Sequence, residues 1–215
     1  MSGYRPFPLV IAAPSGSGKT SLARALVETR PDMVFSLSAT TRAPRSGERD
    51  GVDYRFVDEA GFTALERDGE LLEWAEVHGR CYGTLRSGVE AALAEGRTVV
   101  LDIDVQGAQL VQGALSDAVL VFVLPPSVSE MKRRLLTRGS ESAEQLATRM
   151  RTARAELDAV KDFDYVVVND DFQEALRTIE AIVAAERERV TRQPHLGAML
   201  DGLRADIDEI IQRSH

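Results

Sequence analysis

Apolar residues in this chain fall into short continuous runs and longer stretches where they recur every three or four positions. Pro8 to Ala13 is a continuous run ended by Pro-Ser-Gly, and the next segment, Lys19 to Thr29, puts Leu22, Ala23, Leu26 and Val27 at helical spacing. That pair predicts strand, loop and helix. Thr98 to Asp104 (TVVLDID) predicts a buried strand, Gln106 to Leu115 a helix, and Ala118 to Leu124 (AVLVFVL) another strand, stopped by Pro125 and Pro126. Asp164 to Val168 (DYVVV) predicts a fourth strand. Such runs, separated by amphipathic helices, imply an α/β fold in which a parallel sheet carries helices on both faces.

Two stretches break this rhythm, and both are rich in arginine. From about 36 to 85, short alternating pieces such as FSLSATTR and DYRFV surround a polar loop, which predicts an inserted small subdomain. From about 127 to 162 the pattern is nearly all helical and carries Lys132, Arg133, Arg134, Arg138, Arg149, Arg151 and Arg154, which predicts a charged helical lid. A single domain is expected, with its core at about 1–35, 86–126 and 163–190 and a helical tail at about 191–215. In the tail, Leu196, Leu200, Leu203, Ile207 and Ile210 form one apolar stripe, suited either to packing on the chain's own body or to a homo-oligomer contact.

Composition narrows the class. At 215 residues and 44% hydrophobic content the chain can build one core with modest insertions. A formal net charge of -8 argues against broad attraction to nucleic acid or an anionic membrane, so an anion site must be a local cluster. Cys81 is the only cysteine, which excludes an intramolecular disulfide and a thiolate zinc site and fits a reducing compartment. The first residues hold only a short apolar stretch that runs into a glycine-rich loop. No signal peptide or membrane span is expected, and a cytoplasmic location is.

Ala13-Pro14-Ser15-Gly16-Ser17-Gly18-Lys19-Thr20 matches the phosphate-loop pattern G-x-x-x-x-G-K-[ST] except at its first position. Backbone N–H groups of such a loop converge on phosphate oxygens, the following helix adds its positive N-terminus, Lys19 adds a charge, and the Thr20 hydroxyl can ligate Mg²⁺. A phosphate loop alone does not separate GTPases, motors, transporter subunits and small-molecule kinases. The chain lacks an N-K-x-D guanine element, and its two arginine-bearing stretches suggest a second phosphorylated substrate with closure over both.

Ser38-Ala39-Thr40-Thr41-Arg42-Ala43-Pro44-Arg45-Ser46-Gly47-Glu48, followed by Gly51-Val52-Asp53-Tyr54, closely resembles the guanylate kinase family of P-loop nucleoside monophosphate kinases. The similarity continues through Leu72-Glu73-Trp74-Ala75, Tyr82-Gly83-Thr84, the stretch Leu101 to Gly107, Arg134, Arg138-Gly139, Arg149 and Val168-Asn169-Asp170-Asp171, and covers about residues 7 to 190. It implies Mg²⁺-dependent transfer of the γ-phosphoryl group of ATP to GMP, and to its deoxy form, giving ADP and GDP.

The resemblance also implies roles for particular residues. Ala13 to Ser21, with Arg134 and Asn169, are expected to bind ATP. Arg42, Arg45, Tyr54 and Tyr82 are expected on the GMP phosphate, where guanidinium forks and phenol hydroxyls suit a dianion. Glu73, Ser38 and Thr84 are expected to read guanine, the carboxylate accepting from N1–H and the exocyclic amine while the hydroxyls donate to O6. Asp104 resembles a position on the acceptor side, and Asp102, with Thr20, the metal side, although a strand-end Asp can also cap the next helix. Lys19, Arg42, Arg138 and Arg149 are expected to act on the transferring group; His78 and His195 are not candidates. Two other readings stay open: a peptide-binding module that has kept only the fold, and a kinase for another phosphorylated acceptor such as ribose 1,5-bisphosphate. Lys19, Thr20, Asp102, Arg138 and Arg149 speak against the first, and Glu73 with the TTRxPR run against the second.

Overall fold

A computed structural model describes residues 3–45, 47–77, 79–137 and 143–213. In chain order its elements are β1 (Pro8–Ala12), α1 (Lys19–Thr29), β2 (Met33–Phe35), β3 (Ser38–Thr40), β4 (Arg55–Phe56), α2 (Glu59–Arg67), β5 (Leu71–Val77), β6 (Arg80–Leu85), α3 (Arg86–Ala94), β7 (Thr98–Asp102), α4 (Val105–Ala114), β8 (Val119–Leu124), α5 (Val128–Thr137), α6 (Ala143–Glu156), β9 (Tyr165–Val168), α7 (Phe172–Arg187) and α8 (Leu196–Arg213). Short 3-10 turns lie at Leu157–Asp162 and Val190–Arg192.

Five strands form an all-parallel sheet in the order β2-β7-β1-β8-β9. Every residue of β1 is buried because both faces of the sheet are covered. Leu9 and Ile11 pack with Leu22 and Leu26 of α1 and Ile179 and Val183 of α7, whereas Val10 and Ala12 pack with Val89 of α3 and Val105, Ala108 and Val111 of α4. Burial on two faces is why the sequence shows continuous apolar runs instead of alternation. Each fully buried Leu or Ile contributes about 1.5–3 kcal/mol. The edge strand β2 adds to the strands read from pattern. Its three residues, Met33 to Phe35, pair with β7 and are too few to show a period.

The other four strands, of which β3 comes from the segment FSLSATTR and β4 from DYRFV, make a mixed sheet in the order β4-β3-β6-β5. Under it lies a small core of Ala39, Phe62, Leu65 and Leu71, covered by α2. The next residue, Leu72, packs instead in the main core beside Val105 and Ala108, which fastens the second sheet to the first. A β-bulge between Leu71 and Glu73 re-aims the strand there. Helices α5 and α6 share their own small core of Met131, Leu135 and Ala153.

The tail departs from one of its two expectations. Helix α8 forms over the apolar stripe, yet none of its residues is buried, so it does not pack on the chain's own body. Among the described residues, no helix is long and apolar enough to cross a membrane.

Candidate active site

The phosphate loop connects the end of β1 to α1. Gly16 and Gly18 adopt φ 88 and 86, the left-handed region that glycine enters without steric cost. A Cβ on Gly18 would also lie 2.5 Å from Asn169 Nδ2, so both conformation and space require glycine there. The loop is clasped from outside. Asn169 Nδ2 donates to Ser17 O at 2.7 Å, Arg134 Nη1 donates to the same carbonyl at 3.3 Å, and Arg134 Nη2 donates to Asn169 O at 3.1 Å. Glu130 steers Arg134 by accepting from its Nε at 2.6 Å. Gly16, Gly18, Ser21, Arg134 and Asn169 thereby line one cleft, which opens beside Phe172.

Lys19 points toward the end of β7. Its Nζ lies 2.8 Å from Asp102 Oδ1 and donates to Ile103 O at 2.6 Å. Asp102 is nearly buried, 6% exposed at the side chain. Oδ1 is close to the ammonium, yet it has no aligned hydrogen bond and is under-satisfied. Thr20 and Asp102 line the same pocket, and a hydroxyl beside an under-satisfied carboxylate suits a hard cation such as Mg²⁺, which takes few protein oxygens and completes its shell with phosphates and water.

Across the crevice, the second sheet contributes a pocket whose walls include Ser38, Tyr54, Glu73 and Tyr82, with Lys19, Asp102 and Asp104 on the opposite side. Glu73 is 7% exposed. Thr84 N–H and Oγ1–H donate to its Oε1 at 3.1 and 2.6 Å. Burial pushes the Glu73 carboxyl above the ordinary range, with Asp104 adding to the effect and the Thr84 bonds opposing it. Thr84 is fully buried and its hydroxyl proton is engaged with Glu73, so it orients the carboxylate from behind. On the other side of Glu73, a Cβ on Gly107 would lie 2.7 Å from Oε2.

Arg42 and Arg45 border the neighbouring region, which also touches the phosphate loop, Tyr54, Tyr82 and Arg149. Arg42 Nη2 donates to Glu48 Oε1 at 2.9 Å, and its guanidinium sits 5.3 Å from the Tyr54 ring centroid. Glu48 also accepts from Arg45 N at 2.7 Å, which fixes the loop carrying both arginines. The Arg42–Glu48 ion pair holds Arg42 on Tyr54 beside the crevice. Burial, and then the Asp102 carboxylate, push the Tyr54 phenol up, so it remains a donor at neutral pH.

Asp104 caps the helix that follows its strand. Its Oδ1 accepts from Gly107 N at 2.7 Å as the N-cap of α4, and the residue also lines the crevice. Arg149 reaches the crevice from α6. Arg138 and His78 lie outside the described residues.

One residue escaped sequence reasoning. Glu156 lies seven positions after Arg149 and four after Thr152, so all three share one face of α6, and all three line the crevice at the phosphate loop. Its carboxyl is pushed up to about 6, chiefly by burial and then by Asp104, against Lys19 and the Ser15 backbone amide. Its Oε2 is buried without a hydrogen bond. Heptad spacing from Arg149 was the available signal, hidden among the many charges of that helix.

A phosphate loop on one sheet, facing an arginine- and tyrosine-bordered pocket on another, defines a P-loop phosphotransferase whose acceptor carries a phosphate of its own. Comparison with known proteins narrows the class. The guanylate kinase family model matches residues 5–186. A guanylate kinase of Myxococcus xanthus is 50% identical over 185 residues, covering 86% of this chain and 88% of the relative. One of Rhizobium meliloti is 47% identical over 200 residues, covering 93% and 91%. The crystal structure of guanylate kinase from Anaplasma phagocytophilum superposes with a TM-score of 0.79 at 35% identity, covering 94% of this chain and 96% of that one. The chain belongs to the guanylate kinase family.

Proposed function

We propose that the chain transfers the γ-phosphoryl group of ATP to GMP, with Mg²⁺ held by Thr20 and Asp102. The observation that carries this reading is Glu73: an acceptor-only group, buried and held by Thr84, faces the same crevice as the phosphate-loop lysine. Guanine offers two donors to such a group and adenine does not. The second sheet then serves as the acceptor-binding insertion and α5–α6 as the lid.

Each side chain has a part in the reaction. Lys19 leaves Asp102 and the Ile103 carbonyl for the donor phosphates. The backbone of Ser15 to Thr20 cradles those phosphates, and Arg134 and Asn169 border the remainder of ATP. Arg42 and Arg45, with Tyr54 and Tyr82, hold the GMP phosphate so that its oxygen attacks in line. The attacking oxygen is already anionic, so no general base is needed. Arg149, with Arg138, neutralises charge on the migrating group from the lid, and closure excludes the water that would otherwise hydrolyse ATP. When bound, Mg²⁺ draws charge from the phosphate oxygens. A cytoplasmic location, proposed on the lone cysteine and the net charge, fits this substrate pair.

A coupled ADP-release assay offering ATP with GMP, AMP, CMP or UMP tests the proposal. GMP should exceed the others by about 10³-fold or more, as for a site that pairs buried polar groups with its substrate. Comparable turnover of AMP and GMP would overturn it.

A further inference from the structure

The stripe on α8 is not used by the chemistry above. At 100° per residue, Leu196, Leu200, Leu203, Ile207 and Ile210 fall on one face, with Met199 and Ile211 at its margins, and no charged residue interrupts it. Met199 is 64% exposed, Leu200 40%, Leu203 48%, Ile207 55%, Ile210 65% and Ile211 53%. Their spacing of four and three is that of a two-helix seam, in which each apolar side chain inserts between four of a facing helix.

Three observations say what covers it. The first is area: at roughly 100 Å² of apolar surface per residue, two such faces together remove about 1,200 Å² from water, the lower limit for a specific stable interface. The second is charge. Asp201, Asp206, Asp208 and Glu209 outnumber Arg204 and Arg213, and Arg204–Asp201 and Arg213–Glu209 pair within the helix. An acidic polar face repels an anionic lipid surface, where amphipathic helices carry Lys and Arg. The third is helix stability. An 18-residue helix with Gly197 and Gly202 in its first half is marginal in water by itself and gains stability when its apolar face is packed.

The arm also leaves the body from a fixed root. Arg192, buried, donates to Asp117 O at 3.0 Å and to Glu186 Oε2 at 3.3 Å, and its guanidinium lies 4.2 Å from the Phe7 ring centroid. Arg5 N–H donates to Arg192 O at 2.7 Å. We propose that α8 is a docking arm whose apolar face is covered by α8 of a second copy of this chain.

Sedimentation equilibrium across micromolar concentrations tests it, with Leu203→Glu and Ile207→Glu as two separate single variants and Asp208→Ser, outside the stripe, as control. The unaltered chain and the control should sediment at twice 23.5 kDa or a higher multiple, and both stripe variants at or near 23.5 kDa. Phosphotransferase activity at saturating substrate should be retained by all four, since no α8 residue touches the crevice; this readout also reports that each variant is folded. A 23.5 kDa species for the unaltered chain overturns the proposal, as does an assembly that survives both stripe variants. Stripe-dependent cosedimentation with phosphatidylglycerol vesicles by an otherwise monomeric chain overturns it in favour of a membrane.

Discussion

Gly107→Ala should separate base recognition from stability. The added methyl would lie 2.7 Å from Glu73 Oε2 and 3.2 Å from its carboxyl carbon, whereas an ordinary carbon–oxygen contact needs about 0.6 Å more. Glu73 cannot yield cheaply, because Thr84 N and Oγ1 hold its other oxygen at 3.1 and 2.6 Å within a buried site. A displacement of this size moves the carboxylate off the guanine edge and should cost about 2 kcal/mol of transition-state binding, or about 30-fold in kcat/KM for GMP. ATP affinity should hold, since the phosphate loop is untouched. Fold stability should hardly change, because alanine gains about 1 kcal/mol over glycine inside a helix and offsets the crowding. Gly113→Ala in the same helix, with nothing within 4 Å of its Cβ, should leave kinetics unchanged and add up to about 1 kcal/mol. Steady-state kinetics with urea denaturation checks both. A GMP kcat/KM within twofold of the parent in Gly107→Ala would refute the view that Glu73 works from a fixed seat.

Glu73→Gln puts an amide donor where the guanine edge needs an acceptor, and should lower GMP kcat/KM by about 2–4 kcal/mol while AMP activity falls less; kinetics with both nucleotides decides, and an unchanged ratio refutes the assignment. Lys19→Met should lower kcat by about 10³-fold yet leave GMP affinity within a few fold by calorimetry. The same change leaves Asp102 without its ammonium, so the urea midpoint should fall. Glu156 gives a pH dependence. Below its ordinary value of 4.5 the carboxyl is protonated folded and unfolded; between 4.5 and about 6 only the folded chain keeps the proton, so stability falls as pH rises, and above about 6 the loss is complete. After allowance for solvent screening, Glu156→Gln should therefore gain about 1 kcal/mol near pH 8 and nothing near pH 4, by urea denaturation at both. Equal gains at the two pH values would refute it.

The central sheet was legible because two-sided burial writes itself as uninterrupted apolar runs; β1, β7 and β8 needed nothing else. Strand β2 was not, since three residues carry no period and only pairing with β7 defines it. Gly16, Gly18 and Lys19 were legible as chemistry, the acceptor pocket only through resemblance, because Arg42, Glu73 and Tyr82 are far apart in sequence and meet through strand pairing. The bond from the Thr84 hydroxyl to Glu73 was not legible, because it is set by cross-strand register, in which Glu73 and Thr84 are partners. For α8 the stripe was legible, while its lack of burial required the body's surface to be known.

The strand order carries a consequence for biogenesis. β1, translated before the other described strands, occupies the middle of the parallel sheet, and its neighbours are β7, ending at Asp102, and β8, ending at Leu124. A growing chain therefore carries the strand that leads into the phosphate loop with both edges unpaired until Asp102 has left the ribosome, and with one edge unpaired until Leu124 has. Non-local parallel pairing of this kind forms slowly, and exposed apolar edges invite association with other chains meanwhile. The segment LVIA should accordingly be a site where chaperones engage the nascent protein, released when residues 119 to 124 emerge and close the second edge.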